Sequence, residues 1–224
     1  MKNYWLNKKG NKKLIIFFCG WSFDHKPFER LSCGEYDVCT IYDYGDINSD
    51  EFQNTLPDFD GYDDYKLVSW SMGVYVAYLL KDLLPEFSQK VAVNGTPFPI
   101  DNNLGIPFKT FDLTLKYADS GLKGKFQKNL FKKFEDDERY LKTPVERTVE
   151  NQVRELVALD KFIKNNEIHY EKYYDTAVVS DTDKIIPTKN QINCWEKYAK
   201  FVKIDSGHFP FFEFDSWDEV LSCK

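Results

Sequence analysis

The stretch "LVSWSMGVYVAYLL", Leu67–Leu80, sets a serine between two bulky apolar residues, Trp70 and Met72, with Gly73 immediately after. The segment before it, "YKLVSW" (Tyr65–Trp70), is rich in strand formers. The segment after it reads as a helix over Met72–Leu84 that Pro85 stops. A serine in this setting adds nothing to packing. The pattern fits a strand–turn–helix whose small flanking residues let the two backbones approach, leaving the serine hydroxyl exposed at the strand end. The five residues Ser69–Gly73 depart from G-x-S-x-G only at the first position, where Ser69 is small enough to keep the turn. The competing reading is that Ser71 simply caps the helix.

Outward from this turn, the chain alternates strands and helices. "KKLIIFFCGW" (Lys12–Trp21) is a continuous apolar run, as expected of a parallel strand buried on both faces. Further strands are expected at Tyr36–Tyr44, Lys90–Pro97, Tyr174–Asp183 and Lys200–His208, with an edge strand at Tyr4–Asn7. Helices fit Thr188–Tyr198 and Ser216–Leu221. Such alternation implies an α/β protein with a mostly parallel sheet flanked by helices. Between Leu104 and Asn166 the strand signal vanishes. In "TVENQVRELVALDKFI" the residues Val149, Val153, Leu156, Val157 and Phe162 fall near helical spacing. The expected organisation is a core made of residues 1–103 and 167–224, with 104–166 as a helical cap or lid insertion.

Composition narrows the function. The 224 residues carry a net charge of -6, which argues against general nucleic-acid binding. No apolar run is long enough for a transmembrane helix, and the N-terminus reads as a strand rather than a signal peptide. The five cysteines are scattered, with no C-x-x-C pair, so reduced thiols in a cytoplasmic protein are expected, without disulfide or zinc site. No phosphate loop or metal-ligand cluster is visible, so no cofactor and no metal are expected. A monomer is expected.

A nucleophilic Ser71 needs a base. The histidines are His25, His169 and His208. His208, in "DSGHFPFFEF" just after the last expected strand, is the candidate; the other two read as surface or core residues. The orienting acid is sought after the fifth long strand, in "VVSDTDKIIP". Spacing to Pro187 favours Asp183, with Asp181 as competitor. The order Ser71, Asp183, His208 is that of an α/β-hydrolase fold. An oxyanion hole would use the Met72 amide and, from "CGWS", the Trp21 amide. In the bland reading, Cys19–Trp21 is only a strand exit with an aromatic plug.

Four segments, "FFCGWSFD" (Phe17–Asp24), "SWSMGVYVA" (Ser69–Ala77), "VAVNGTPFPID" (Val91–Asp101) and "DSGHFPFFEF" (Asp205–Phe214), resemble the BioG-type pimeloyl-[acyl-carrier protein] methyl ester esterases. "NGTPFPID" is the most distinctive of them. The resemblance implies hydrolysis of the methyl ester of a carrier-bound dicarboxylate in biotin precursor synthesis, with an acyl-carrier protein as partner. It implies Ser71, His208 and Asp183 as catalytic residues, with Trp21 and Met72 as amide donors. Acyl-carrier proteins are acidic. Between Lys109 and Lys133 there are seven lysines against Asp112 and Asp119, and Lys125, Lys128, Lys132 and Lys133 are candidate docking residues. The bland reading there is a solvated helix face.

The residue types leave three functions open. They are a pimeloyl-carrier methyl esterase, a general short-acyl carboxylesterase or thioesterase, and a hydrolase-like binding protein without catalysis. Leaving-group identity is set by the pocket rather than by the nucleophile.

Overall fold

The structure is a computed structural model that describes residues 1–49, 52–120 and 125–223. The strands are β1 (Lys2–Asn7), β2 (Lys13–Phe18), β3 (Tyr36–Tyr42), β4 (Asp64–Trp70), β5 (Gln89–Val93), β6 (Thr176–Ser180) and β7 (Lys200–Ile204). They form one sheet in the order β1-β3-β2-β4-β5-β6-β7. β1 runs antiparallel to β3 and every other pair is parallel. The helices are α1 (Met72–Leu79), α2 (Phe108–Tyr117), α3 (Lys125–Leu130), α4 (Phe134–Lys142), α5 (Val149–Asn165), α6 (Thr188–Tyr198) and α7 (Trp217–Ser222).

β2 shows why its sequence is apolar without interruption. Leu14, Ile16 and Phe18 enter one core while Ile15 and Phe17 enter the other, and all five are fully buried. One core lies under α1, α5 and α6, the other under α7 and the aromatic run Phe209–Phe214. At about 25 cal/mol per Å² of apolar surface removed from water, burial on both faces makes such a strand a stabilising element of both cores at once.

α1 is shorter than the expected Met72–Leu84. It ends at Leu79, and Lys81–Leu83 tighten into a 3-10 turn. Pro85 disfavours helical backbone at the residue before it, and Leu84 is extended at φ -95°, ψ 155°. Five expected strands overrun their observed carboxyl ends. β2 stops at Phe18, β3 at Tyr42, β5 at Val93, β6 at Ser180 and β7 at Ile204. In each case the chain turns out of the sheet at that edge. Ser22, Asp43, Ser71 and Asn94 take positive φ there, a conformation that costs non-glycine residues about 1–2 kcal/mol. Residues 108–165 hold α2–α5 between β5 and β6, with no strand among the described residues.

Candidate active site

Ser71 sits between β4 and α1 at φ 56°, ψ -123°. Gly73 makes this turn possible: a Cβ there would lie 2.3 Å from the Phe18 carbonyl oxygen. At the first motif position Ser69 is fully buried, and the turn keeps its shape without a glycine. The Ser71 side chain makes no helix-capping hydrogen bond, which removes the cap reading. Its Oγ lies 2.8 Å from Nε2 of His208 instead.

His208 Nδ1 lies 2.8 Å from Oδ2 of Asp183. The carboxylate can only accept there, so Nδ1 carries the proton and Nε2 is left to accept the Ser71 hydroxyl. Asp183 is also held by the amides of Ile185 at 2.8 Å and Ile186 at 3.0 Å on Oδ1, and by Gln191 Nε2 at 2.8 Å on Oδ2. Asp181 is exposed, and its carboxylate faces Lys132 at 3.4 Å. The geometry therefore brings Ser71, His208 and Asp183 together and leaves Asp181 outside. His25 stacks on Tyr4 with centroids 3.5 Å apart, and the His169 carbonyl accepts from the Tyr78 hydroxyl at 3.1 Å.

Three residues that support the site were missed from the sequence. Trp70 Nε1–H donates to the His208 carbonyl at 2.9 Å. Asn94 donates to the carbonyls of Gly207 and His208 at 3.0 Å each, and accepts from the Ser180 amide at 2.7 Å. Gln191 lies on the buried stripe of α6 with Cys194 and Trp195. A buried amide on an apolar helix face demands a partner, and that was the available signal for Gln191.

Trp21 and Met72 line a narrow cavity with Ser71, His208 and the apolar residues Ile106, Phe111, Leu130 and Ile185. Met72 opens α1, so its amide has no partner within the helix. The Gly20–Trp21 turn runs against the nucleophile: a Cβ on Gly20 would lie 3.0 Å from Ser71 Cβ. The Trp21 indole donates to the Gln152 carbonyl at 2.8 Å, and its ring packs edge-on to Phe126. Phe23, Phe126 and Leu130 also line a second, larger cavity of about 430 Å³ between α3, α4 and the start of α5.

Beside the Trp21 loop lies a buried charge cluster. Arg147 Nη1 donates to Glu155 Oε2 at 2.7 Å, and Arg147 Nη2 faces Asp43 Oδ1 at 3.3 Å. Burial acts to raise the Asp43 carboxyl, but Arg147, Asn151 and Lys2 outweigh it and hold Asp43 at about 2. Burial pushes the Glu155 carboxyl up, against Arg147 and the amides of Tyr44 and Ser22. All five cysteines are free, and burial pushes Cys39 and Cys194 up to about 12. Among the described residues no cluster of three metal-ligating side chains occurs, and no helix is long and apolar enough to cross a membrane.

Of the expected docking lysines, Lys128 on α3 is exposed and Lys133 pairs with Glu213 at 2.8 Å. Lys132 contacts Asp205 and Asp181. The Lys125 side chain, like Lys123 in the same basic run, lies outside the described residues.

Sheet order, turn and Ser–His–Asp geometry are those of an α/β-hydrolase. The crystal structure of BioG from Haemophilus influenzae superposes with a TM-score of 0.88 at 29% identity, covering 99% of this chain and 100% of that one. An esterase from Exiguobacterium antarcticum shares the fold at a TM-score of 0.63 and 16% identity, covering 95% of this chain and 89% of that one. A malonyl-[acyl-carrier protein] O-methyltransferase of Bacteroides fragilis (strain 638R) is 32% identical over 201 residues, 88% of this chain. The match spans 40% of that relative's length. The family described as pimeloyl-ACP methyl esterase BioG matches residues 1–220. This chain belongs to that family of carboxylic ester hydrolases.

Proposed function

We propose that the protein hydrolyses the methyl ester of pimeloyl-[acyl-carrier protein] through an acyl-enzyme on Ser71. The observation that carries this reading is the unbroken chain Ser71 Oγ–His208–Asp183, with both links at 2.8 Å, opening on an apolar cavity. His208 Nε2 takes the hydroxyl proton as Ser71 attacks the ester carbonyl, and Asp183 stabilises the imidazolium that forms. The amides of Trp21 and Met72 face the developing oxyanion, each worth about 10²–10³ in rate. His208 returns the proton to the methoxide, and methanol leaves. Water, activated by the same imidazole, then releases the free carboxylate. The family match and the acyl-carrier protein in the printed name of the Bacteroides relative both support an acyl-carrier substrate.

Residues 104–166 act in this reading as a cap over the cavity. The exposed apolar side chains Phe134 and Leu141, with Leu141 lining the second cavity, suit a carrier arm entering from that side. Because Lys132 and Lys133 are engaged with carboxylates of this chain, docking is assigned to the exposed Lys109, Lys116 and Lys128.

The test compares the purified protein on pimeloyl-carrier methyl ester and on a small soluble methyl ester, with mass spectrometry for a Ser71 adduct that still carries the acyl-carrier protein through its thioester. Turnover of the carrier substrate with an adduct supports the proposal. Turnover of the small ester alone assigns a general esterase. No fluorophosphonate labelling of Ser71 in folded protein assigns a binding protein. Charge reversal at Lys109, Lys116 and Lys128 should weaken carrier turnover and spare the small ester, and equal loss on both rejects the docking role.

A further inference from the structure

The loop that carries the Trp21 amide is held on one side by α5 and the arginine just before it. Glu155, fully buried on α5, accepts the Ser22 amide at 3.0 Å on Oε2 and the Tyr44 amide at 2.8 Å on Oε1. One turn earlier, Gln152 accepts the Trp21 indole N–H on its backbone carbonyl at 2.8 Å and donates from Nε2 to the Ser22 carbonyl at 3.3 Å. Ser22 between these contacts is held at φ 72°, where serine does not rest unless its surroundings fix it. Arg147 binds the loop from the same side, donating to the Phe23 carbonyl at 3.1 Å and to Glu155 at 2.7 Å. Both Glu155 oxygens meet only donors, so the side chain acts as a carboxylate.

We propose that Glu155 and Gln152 are positioning residues of α5 that hold the strained Trp21–Ser22 turn, and with it the Trp21 amide, against the oxyanion of the acyl-transfer step. This inference rests on the ester-hydrolase reading above. It gives α5 a role in the chemistry itself, whereas a cap covering the cavity needs none of these contacts. The charged groups facing Glu155 are Arg147 and, beyond it, Asp43, which Lys2 and Arg154 also contact at 3.1 Å each.

The test uses Glu155→Gln in the full chain. Glutamine keeps the shape but offers one acceptor oxygen to a site that holds three donors, so either the Ser22 amide or the Tyr44 amide loses its acceptor, and the ionic contact with Arg147 is lost in both cases. Fluorophosphonate titration first counts the competent Ser71 sites, which separates partial misfolding from altered chemistry. Kinetics on a p-nitrophenyl ester should then show kcat per titrated site lowered about 10- to 100-fold, with KM changed less than about twofold. Inhibition by a trifluoromethyl ketone, whose serine adduct carries the oxyanion, should weaken by the same factor as kcat/KM.

Gln152→Leu keeps the backbone carbonyl that Trp21 uses and loses the Ser22 contact. Its expected loss is about three- to tenfold in the same pattern, and it carries the test if Glu155→Gln does not fold. Asp37→Asn is the structural control. Asp37 is equally buried and holds the amides of Lys9, Gly10 and Asn11 at the far end of the sheet, so kcat per titrated site should stay unchanged. Unchanged kcat per site in Glu155→Gln overturns the proposal. So does a rate loss without weaker ketone inhibition, or an equal loss in the Asp37 control. Absence of labelling in the wild type overturns the nucleophile reading and this inference with it.

Discussion

Replacing Asp183 by asparagine tests the site at its least visible member. The two amides of Ile185 and Ile186 require an oxygen at the Oδ1 position, so the new NH₂ group falls at Oδ2, 2.8 Å from His208 Nδ1, and there displaces the Gln191 N–H that Oδ2 accepted. It donates there, and the imidazole must answer with a lone pair at Nδ1. The ring proton then moves to Nε2, which faces the Ser71 hydroxyl and can no longer accept its proton. The wrong tautomer in such a triad costs about 10⁴ in kcat, close to 5.4 kcal/mol of transition-state stabilisation. Asp181→Asn removes only an exposed carboxylate facing Lys132, and its rate should stay within about twofold of wild type. The assay is hydrolysis of a small ester by both purified variants beside thermal unfolding. If Asp183→Asn retains more than about a tenth of wild-type kcat, or Asp181→Asn falls equally far, the assignment of the acid is wrong.

Ser71→Ala and His208→Ala should each abolish nearly all turnover without lowering the unfolding midpoint, and the double variant should lose little more, because the two act as one unit; additive losses speak against a shared step. Gly73→Ala drives a methyl into the Phe18 carbonyl at 2.3 Å and should destabilise by about 1–3 kcal/mol, read by urea unfolding. An unchanged midpoint contradicts the close strand–helix approach. Asp43 is held at about 2 against an ordinary 3.8, a depressed carboxyl whose contribution is complete above the ordinary value and lost as pH falls through about 4 to 2. The wild-type advantage over Asp43→Asn should shrink by about 2 kcal/mol between pH 6 and pH 2, and a pH-independent difference refutes the ion pairing.

The parallel strands were legible because they are buried on both faces, so Leu14–Phe18 and Leu67–Trp70 read as apolar blocks whatever surrounds them. The contact of Ser71 with His208 was legible from the turn, the last strand exit and the chain order, whereas the same signals left Asp183 and Asp181 both open as the residue beside the imidazole. Strand ends were not. Cys19–Trp21, Asn94–Pro97 and Asp205–His208 are as apolar or as small as strand residues, yet they leave the sheet because the site needs them elsewhere. The partners of Gln191 and Asn94 stayed hidden for another reason: they lie 8 and 86 residues away on other elements, and even the apolar face of α6 that marks Gln191 as needing a partner does not say which. Glu155 was hidden in the same way, as one acidic residue in a helix that reads as amphipathic from its sequence.

Trp70 occupies the position that motif descriptions leave blank, one residue before the nucleophile. Its indole grips the main chain of the histidine from the opposite end of the polypeptide. The residue that flanks the serine thus also fastens the backbone of the histidine the serine contacts. Any substitution that reshapes the aromatic wall at Trp70 therefore also removes a hydrogen bond that holds the His208 main chain in place.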